Sequence, residues 1–212
     1  MHSHETVRMA TQGQVQDLAA TLVQTVPDDL PFDRAQWLIG HKGEWTPKVG
    51  EILIGCSVPD VAELLRDWKK FYLDVFKRQV DFSGIVVPEY QAGFDRLIVV
   101  AEGLTLNEVF RVCRSRFSVW SWTDADKVVM ENDREPTQSY AIWVRDRAEA
   151  DEELKNLSAI QLREQGVLGV TLPERLLWEL KFDVETGDHL DKRTATLCSG
   201  SRDSDGYVPY VY

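Results

Sequence analysis

Apolar residues recur at helical spacing in several separate stretches of the chain. Thr11 followed by Gln14 is a capping box, and Val15, Leu18, Leu22 and Val23 share one side of the helix it opens, until Val26-Pro27 ends it. "FDRAQWLIG" predicts a second short helix stopped at Gly40, and "HKGEWTPKVGE" an irregular connection. The clearest pattern is "VPDVAELLRDWKKFYLDVFKRQV". Val61, Leu64, Leu65, Trp68, Phe71, Tyr72, Val75 and Phe76 form an apolar stripe, with charges at most intervening positions. That spacing predicts one two-faced helix of about six turns, with the aromatic stripe as core.

From Phe94 onward the pattern changes. "RLIVV" at 96–100 is a β-rich run, and after Gly103 a Thr105/Glu108 capping box opens a helix burying Leu106, Val109, Phe110, Cys113 and Phe117. "SVWSW" and "SYAIWVR" are further strand candidates, separated by the polar "TDADKVVMENDREPTQ". "DRAEADEELKNLS" predicts an exposed acidic helix, and Ser158 caps another that ends at Gly166. Thr171 and Pro173 open a helix with Leu176, Leu177, Leu180 and Val184 in a stripe and Gly187 as its stop. "RTATLC" is the last predicted strand before the tail "SGSRDSDGYVPYVY". The fold class that follows is α+β, a helical N-terminal half packed with a C-terminal half of short strands and helices. A single domain over 1–212 is the simplest organisation, with a possible subdivision into a helical 10–88 and an α+β 94–212.

Composition narrows the function classes. The 212 residues are 43% hydrophobic, enough for a substantial core, and 24 basic against 35 acidic residues give a net charge of −11. That balance argues against phosphate-tracking nucleic-acid binding. No stretch approaches the ~20 apolar residues of a membrane span, and the first residues lack the pattern of a secretory signal. Three widely spaced cysteines, Cys56, Cys113 and Cys198, fit reduced thiols. The expectation is a cytoplasmic protein with no nucleic-acid or membrane partner.

Chemistry is sparse. Neither a dinucleotide fingerprint nor a P-loop occurs. His2 and His4 make no defined metal site, and "DSDG" at 203–206 lacks the downstream glutamate of a calcium loop, so a tight turn is expected there. Neither metal nor cofactor is predicted. Cys198 in "LCSGSR" and His189 in "GDHLD", with Asp191 beside it, are the residue types of a nucleophile, its base and an orienting acid. A hydrolase or transferase built on them is one reading. The other is a non-catalytic module that binds a protein or small molecule through the tail. Tyrosine there supplies contact area at low entropy cost, and small polar residues supply hydrogen bonds; the candidate contact residues are Ser199, Ser201, Arg202, Asp203, Asp205, Tyr207, Tyr210 and Tyr212. A terminal β-hairpin with an Asp-Gly turn accounts for the same residues. A third possibility is a structural subunit assembling through Trp120, Trp122 or Trp178.

The stretches "FDRLIVVAEGLTLNEVF", "SYAIWVRDRAEADEELKNLSA", "LPERLLWELKFDVETGDHLD" and "TLCSGSRDSDGYVPYVY" resemble a family of uncharacterised bacterial proteins over Phe94 to Tyr212. The resemblance implies no particular activity. Members of that family continue into a short segment rich in Trp, Asn, Asp and Arg, similar to the variable tails of retroelement-diversified binding proteins with a C-type-lectin-like fold.

Overall fold

A single strand, β1 (Arg96–Val100), has Leu97 to Val100 all within 2% of full burial, and the C-terminal part of the chain is built around it. Four consecutive buried residues mean that both faces of the strand are covered, which a period-two strand on an open sheet would not show. One edge pairs antiparallel with β3 (Tyr140–Val144), Ile98 opposite Ile142. Two carbonyls of β1, two residues apart, accept from side chains instead. The Trp68 indole Nε1 donates to Leu97 O at 3.1 Å, and the Tyr72 hydroxyl donates to Val99 O at 2.9 Å while accepting from Ala101 N at 3.0 Å.

Those side chains come from α4 (Val61–Phe71) and the turn that continues it at Tyr72; α4 is opened by Asp60, whose carboxylate accepts from the amides of Ala62 and Glu63. The helix does not run its predicted six turns. Its last turn widens to π geometry over Tyr72–Phe76, and Lys77 at φ 55° ends it. The widened turn places Phe71, Tyr72 and Phe76 against one another, with ring centroids 5.3 to 5.9 Å apart, and Phe82 against Tyr72. The opposite side of the core is supplied by α5 (Leu106–Arg116) and α8 (Leu172–Thr186), with Val109, Leu177 and Leu180 fully enclosed. The predicted Thr105/Glu108 capping box opens α5, and at α8 the expected Thr171 start is completed by a box with Glu174.

The computed structural model describes residues 11–55, 59–120 and 122–212, and the side chains of 50–55 lie outside the description, as do His2, His4 and Cys56. The described residues form an α+β protein of eight α-helices and six short strands. The chain separates into two compact units, 1–57 and 58–212. This division lies well before the predicted boundary at 88–93, because the aromatic stripe of α4 belongs to β1, and because the loop before β1 is tied down by the Trp143 indole donating to Pro88 O at 2.9 Å. The first unit contains α1 (Gln12–Gln24) and α2 (Phe32–Gly40), as expected, and α3 (Lys42–Gly55), where an irregular connection was predicted. The helix continues through Pro47, and beside it the Thr46 hydroxyl donates to Lys42 O and the Trp45 indole to Leu38 O.

Other differences lie in polar stretches. The tryptophan-rich 118–120 and Trp122 form no strand, whereas the polar segment after them contains α6 (Ala125–Val128) and β2 (Val129–Asn132). The acidic 146–158 is not a helix beyond one tight turn at Glu152–Leu154. Its backbone is pinned elsewhere: the Asp191 amide donates to Ala148 O at 2.7 Å, and the Ala150 amide to Thr194 Oγ1 at 3.1 Å. Arg145 and Arg147 hold Asp151 and Glu153. The short helix α7 (Ala159–Glu164) follows, capped by Ser158 as predicted.

Replacing Tyr72 with Phe keeps the ring and deletes the one hydroxyl that serves both Val99 and Ala101, so two buried backbone groups lose their partner. The variant is expected to lose about 2 kcal/mol of stability by urea unfolding, with the m-value unchanged. A loss below about 0.5 kcal/mol would show that water replaces the hydroxyl there.

Candidate functional site

The tail is the closing part of the fold and also displays three exposed tyrosines. β4 (Thr196–Leu197) pairs antiparallel with β6 (Tyr210–Val211), and β5 (Ser201–Asp203) pairs with β2, the register slipping between Val129 and Glu131. The turn between β5 and β6 is built on Asp203. Its Oδ1 accepts from the amides of Asp205 at 3.0 Å and Tyr207 at 2.8 Å, and Gly206 takes the left-handed conformation at φ 83°. The DSDG sequence is thus a tight turn whose carboxylate is spent on backbone amides.

Several predicted contact residues are enclosed. Ser201 is fully buried: its hydroxyl donates to Asn132 Oδ1 at 2.6 Å and accepts from Leu172 N at 2.8 Å, satisfying a free amide at the start of α8. Ser199 is buried as well, and Arg202 donates to the carbonyls of Ser199 and Ser201. Between them Gly200 lies against Gly169, its amide donating to Val170 O at 3.0 Å. A Cβ on Gly200 would come within 2.9 Å of the Gly169 carbonyl, and one on Gly169 within 1.8 Å of the Ser199 hydroxyl. This backbone crossing explains the small residues of "CSGS". They were chosen here for close approach, and Ser199 and Ser201 are withdrawn as surface contacts.

The exposed residues of the tail are Ser204, Asp205, Gly206, Tyr207, Tyr210 and Tyr212. Along β6 the pattern alternates: Val211 packs against the core, while Tyr210 and Tyr212 point outward at 60% and 83% exposure, their rings 5.8 Å apart and 21° from parallel. Leu197 stands opposite Tyr210 on β4 and is also exposed, a neighbour that the sequence reading missed because only the strand register reveals it.

Cys198, His189 and Asp191 do not assemble into a nucleophilic site. Cys198 has no exposed surface, and burial pushes its thiol up to about 12; the charges that reach it are Arg175, Glu174 and Asp191. His189 is half exposed and its Nδ1 lies 3.0 Å from Glu179 Oε1, with Phe117 edge-on at 5.0 Å. Asp191, buried and at φ 53°, accepts two bonds from the buried Arg175, which also donates to Glu179 Oε2 at 2.9 Å. The histidine is therefore oriented by Glu179 and the aspartate serves an arginine. A thiol held neutral and away from solvent is a core residue.

A second buried network sits at the start of α8. Glu174 is fully enclosed and accepts from Arg134 Nε at 2.6 Å, from the Tyr140 hydroxyl at 2.9 Å and from its own cap amide, Thr171 N, at 2.7 Å. Burial, and then the charge of Glu174, push the Tyr140 phenol well above its ordinary range. Both networks join α8 to the segments around it. A groove beside the second, lined by Asp133, Arg163, Val167, Gly169 and Ser199, is too small for an organic ligand. A wider, shallow depression is lined by Arg147, Glu149, Glu152, Arg193 and Thr194, and its charges are paired, Arg147 with Glu153, Arg193 with Glu149 and Glu152 with Lys155.

Among the described residues no group of three or more His, Cys, Asp or Glu is placed to hold a metal, and no helix is long and apolar enough to cross a membrane. Trp120 is exposed, whereas Trp178 is part of the core layer. No family model, curated protein or solved structure matches the chain.

Two outcomes follow for the thiols. Cys198 is expected to react with iodoacetamide at pH 8 at least tenfold more slowly than an unstructured cysteine, since both access and thiolate fraction are low; a rate equal to or above the free thiol would restore the nucleophile. Cys113 is likewise pushed up to about 12 by burial. Both thiols have folded pKa values above their unfolded ones. Their contribution is thus complete below about pH 8.5 and is lost as pH rises through that value toward 12. Unfolding midpoints should fall steadily between pH 9 and 11, and less steeply in a Cys113→Ala/Cys198→Ala variant.

Proposed function

We propose that this chain is a cytoplasmic binding module without a catalytic role, and that it meets a protein or small-molecule partner at the tyrosine edge formed by Tyr207, Tyr210 and Tyr212. One observation carries the reading. The tail holds its backbone in paired strands and a side-chain-locked turn, yet displays three tyrosines at 60 to 83% exposure. A merely structural strand gains nothing from large aromatic rings in water, whereas rigidly presented tyrosines give contact area without an ordering cost.

Truncating the tail is the wrong test, because it would remove Ser201, Gly200 and both strand pairings. The suitable variant is Tyr207→Ser/Tyr210→Ser/Tyr212→Ser, which changes outward side chains alone. Its melting temperature should stay within about 2 °C of the unmodified chain. The same variant, used as bait in extracts of the source cells, should lose the partners that the unmodified chain retains. Retention of those partners, or a fall in melting temperature of ~8 °C or more, would make the tyrosines structural.

A further inference from the structure

Resting on the reading of the tail as a binding edge, we infer that its partner is a positively charged, extended peptide segment, bearing arginine or lysine side chains, that lies along the outward face of β6. Three observations define that occupant.

The first is the shape of the face. Leu197, Tyr210 and Tyr212 form a short row of exposed apolar surface across β4 and β6, with the two tyrosine rings 21° from parallel. Such a row accommodates the side chains on one side of an extended strand, which repeat at period two. It is too small for a globular interface. Among the described residues β6 also pairs with β4 alone and its other edge has no strand beside it, the arrangement in which a peptide adds its own main chain.

The second is charge. The segment from Thr196 to Tyr212 contains one cation and two carboxylates, and the cation, Arg202, donates to the carbonyls of Ser199 and Ser201. Asp203 turns its Oδ1 toward backbone amides, while the Asp205 carboxylate is exposed and has no partner among the described residues. The whole chain carries a net charge of −11. A cationic segment is steered toward such a surface, whereas nucleic acid, phosphopeptides and anionic lipid are repelled.

The third is the chemistry of the rings. An arginine or lysine cation over a tyrosine face is attracted by the ring quadrupole, and the planar guanidinium stacks on it as well. Exposed tyrosine rings and, in the same tail, the exposed carboxylate of Asp205 therefore offer an arginine-bearing peptide both faces to stack on and a charge to pair with.

The test is fluorescence anisotropy with the full chain and a labelled nine-residue peptide of alternating arginine and threonine, at near-physiological salt. Saturable one-to-one binding is expected, about tenfold weaker for Tyr210→Ser/Tyr212→Ser and about threefold weaker for Asp205→Lys. The matching glutamate–threonine peptide should not bind. The double serine variant keeps the chain's charge, so equal binding by it would reduce the effect to general attraction and overturn the proposal. Absence of saturable binding to the unmodified chain would overturn it too. If the triple tyrosine variant then still lost its cellular partners, the binding edge would stand and only the cationic-peptide assignment would fall.

Discussion

The burial of β1 is the constraint on which the C-terminal unit depends. A strand enclosed on both faces must satisfy its backbone groups without water, and β3 can serve only one edge. The carbonyls of Leu97 and Val99 are instead met by the Trp68 indole and the Tyr72 hydroxyl. Polar tips on aromatic bodies allow α4 to bury a large apolar stripe and satisfy a strand edge at the same time. The π turn at Tyr72–Phe76 keeps successive aromatic residues directed at the same core, so the helix yields its regular geometry where that core requires it.

Charge plays the corresponding part around α8. Glu174, Arg175, Glu179 and Lys181 are all buried on a helix whose stripe of leucines already faces the core. Buried charges are tolerated only when paired and hydrogen-bonded, and each of these has partners from elsewhere in the chain or from the same helix: Arg134 and Tyr140 for Glu174, Asp191 for Arg175, His189 for Glu179, Asp67 and Glu185 for Lys181. Such pairs specify which segments meet more than they add stability. They also account for the residues that looked catalytic, since His189 and Asp191 are the outer members of this network.

The tail combines both logics at the surface. Its first half is governed by a crossing of glycine backbones and buried serine hydroxyls, and its second half by a two-residue strand whose inner side chain, Val211, reaches the core. Alternation along that strand then leaves the tyrosines outside. Rigid presentation of these rings is thus a by-product of closing the fold, and the proposed recognition edge rests on it.

Much of the local structure was legible in the residues. The Thr11, Thr105, Ser158 and Thr171 caps, the β1 and β3 runs and the left-handed Gly187 all stand where their patterns place them, because capping, periodicity and the absence of a Cβ act within a few residues. The α+β class followed from the same signals. Only the tertiary structure decided which polar residues were buried, since a serine or glutamate reads alike whether it faces water or a distant donor. Ser201 and Leu172 are 29 residues apart and Arg134 and Glu174 are 40, and no local pattern encodes such a meeting. The division at residue 57, the burial of Cys198 and the joining of Leu197 to the tyrosines are of the same kind, each set by packing between segments remote in sequence.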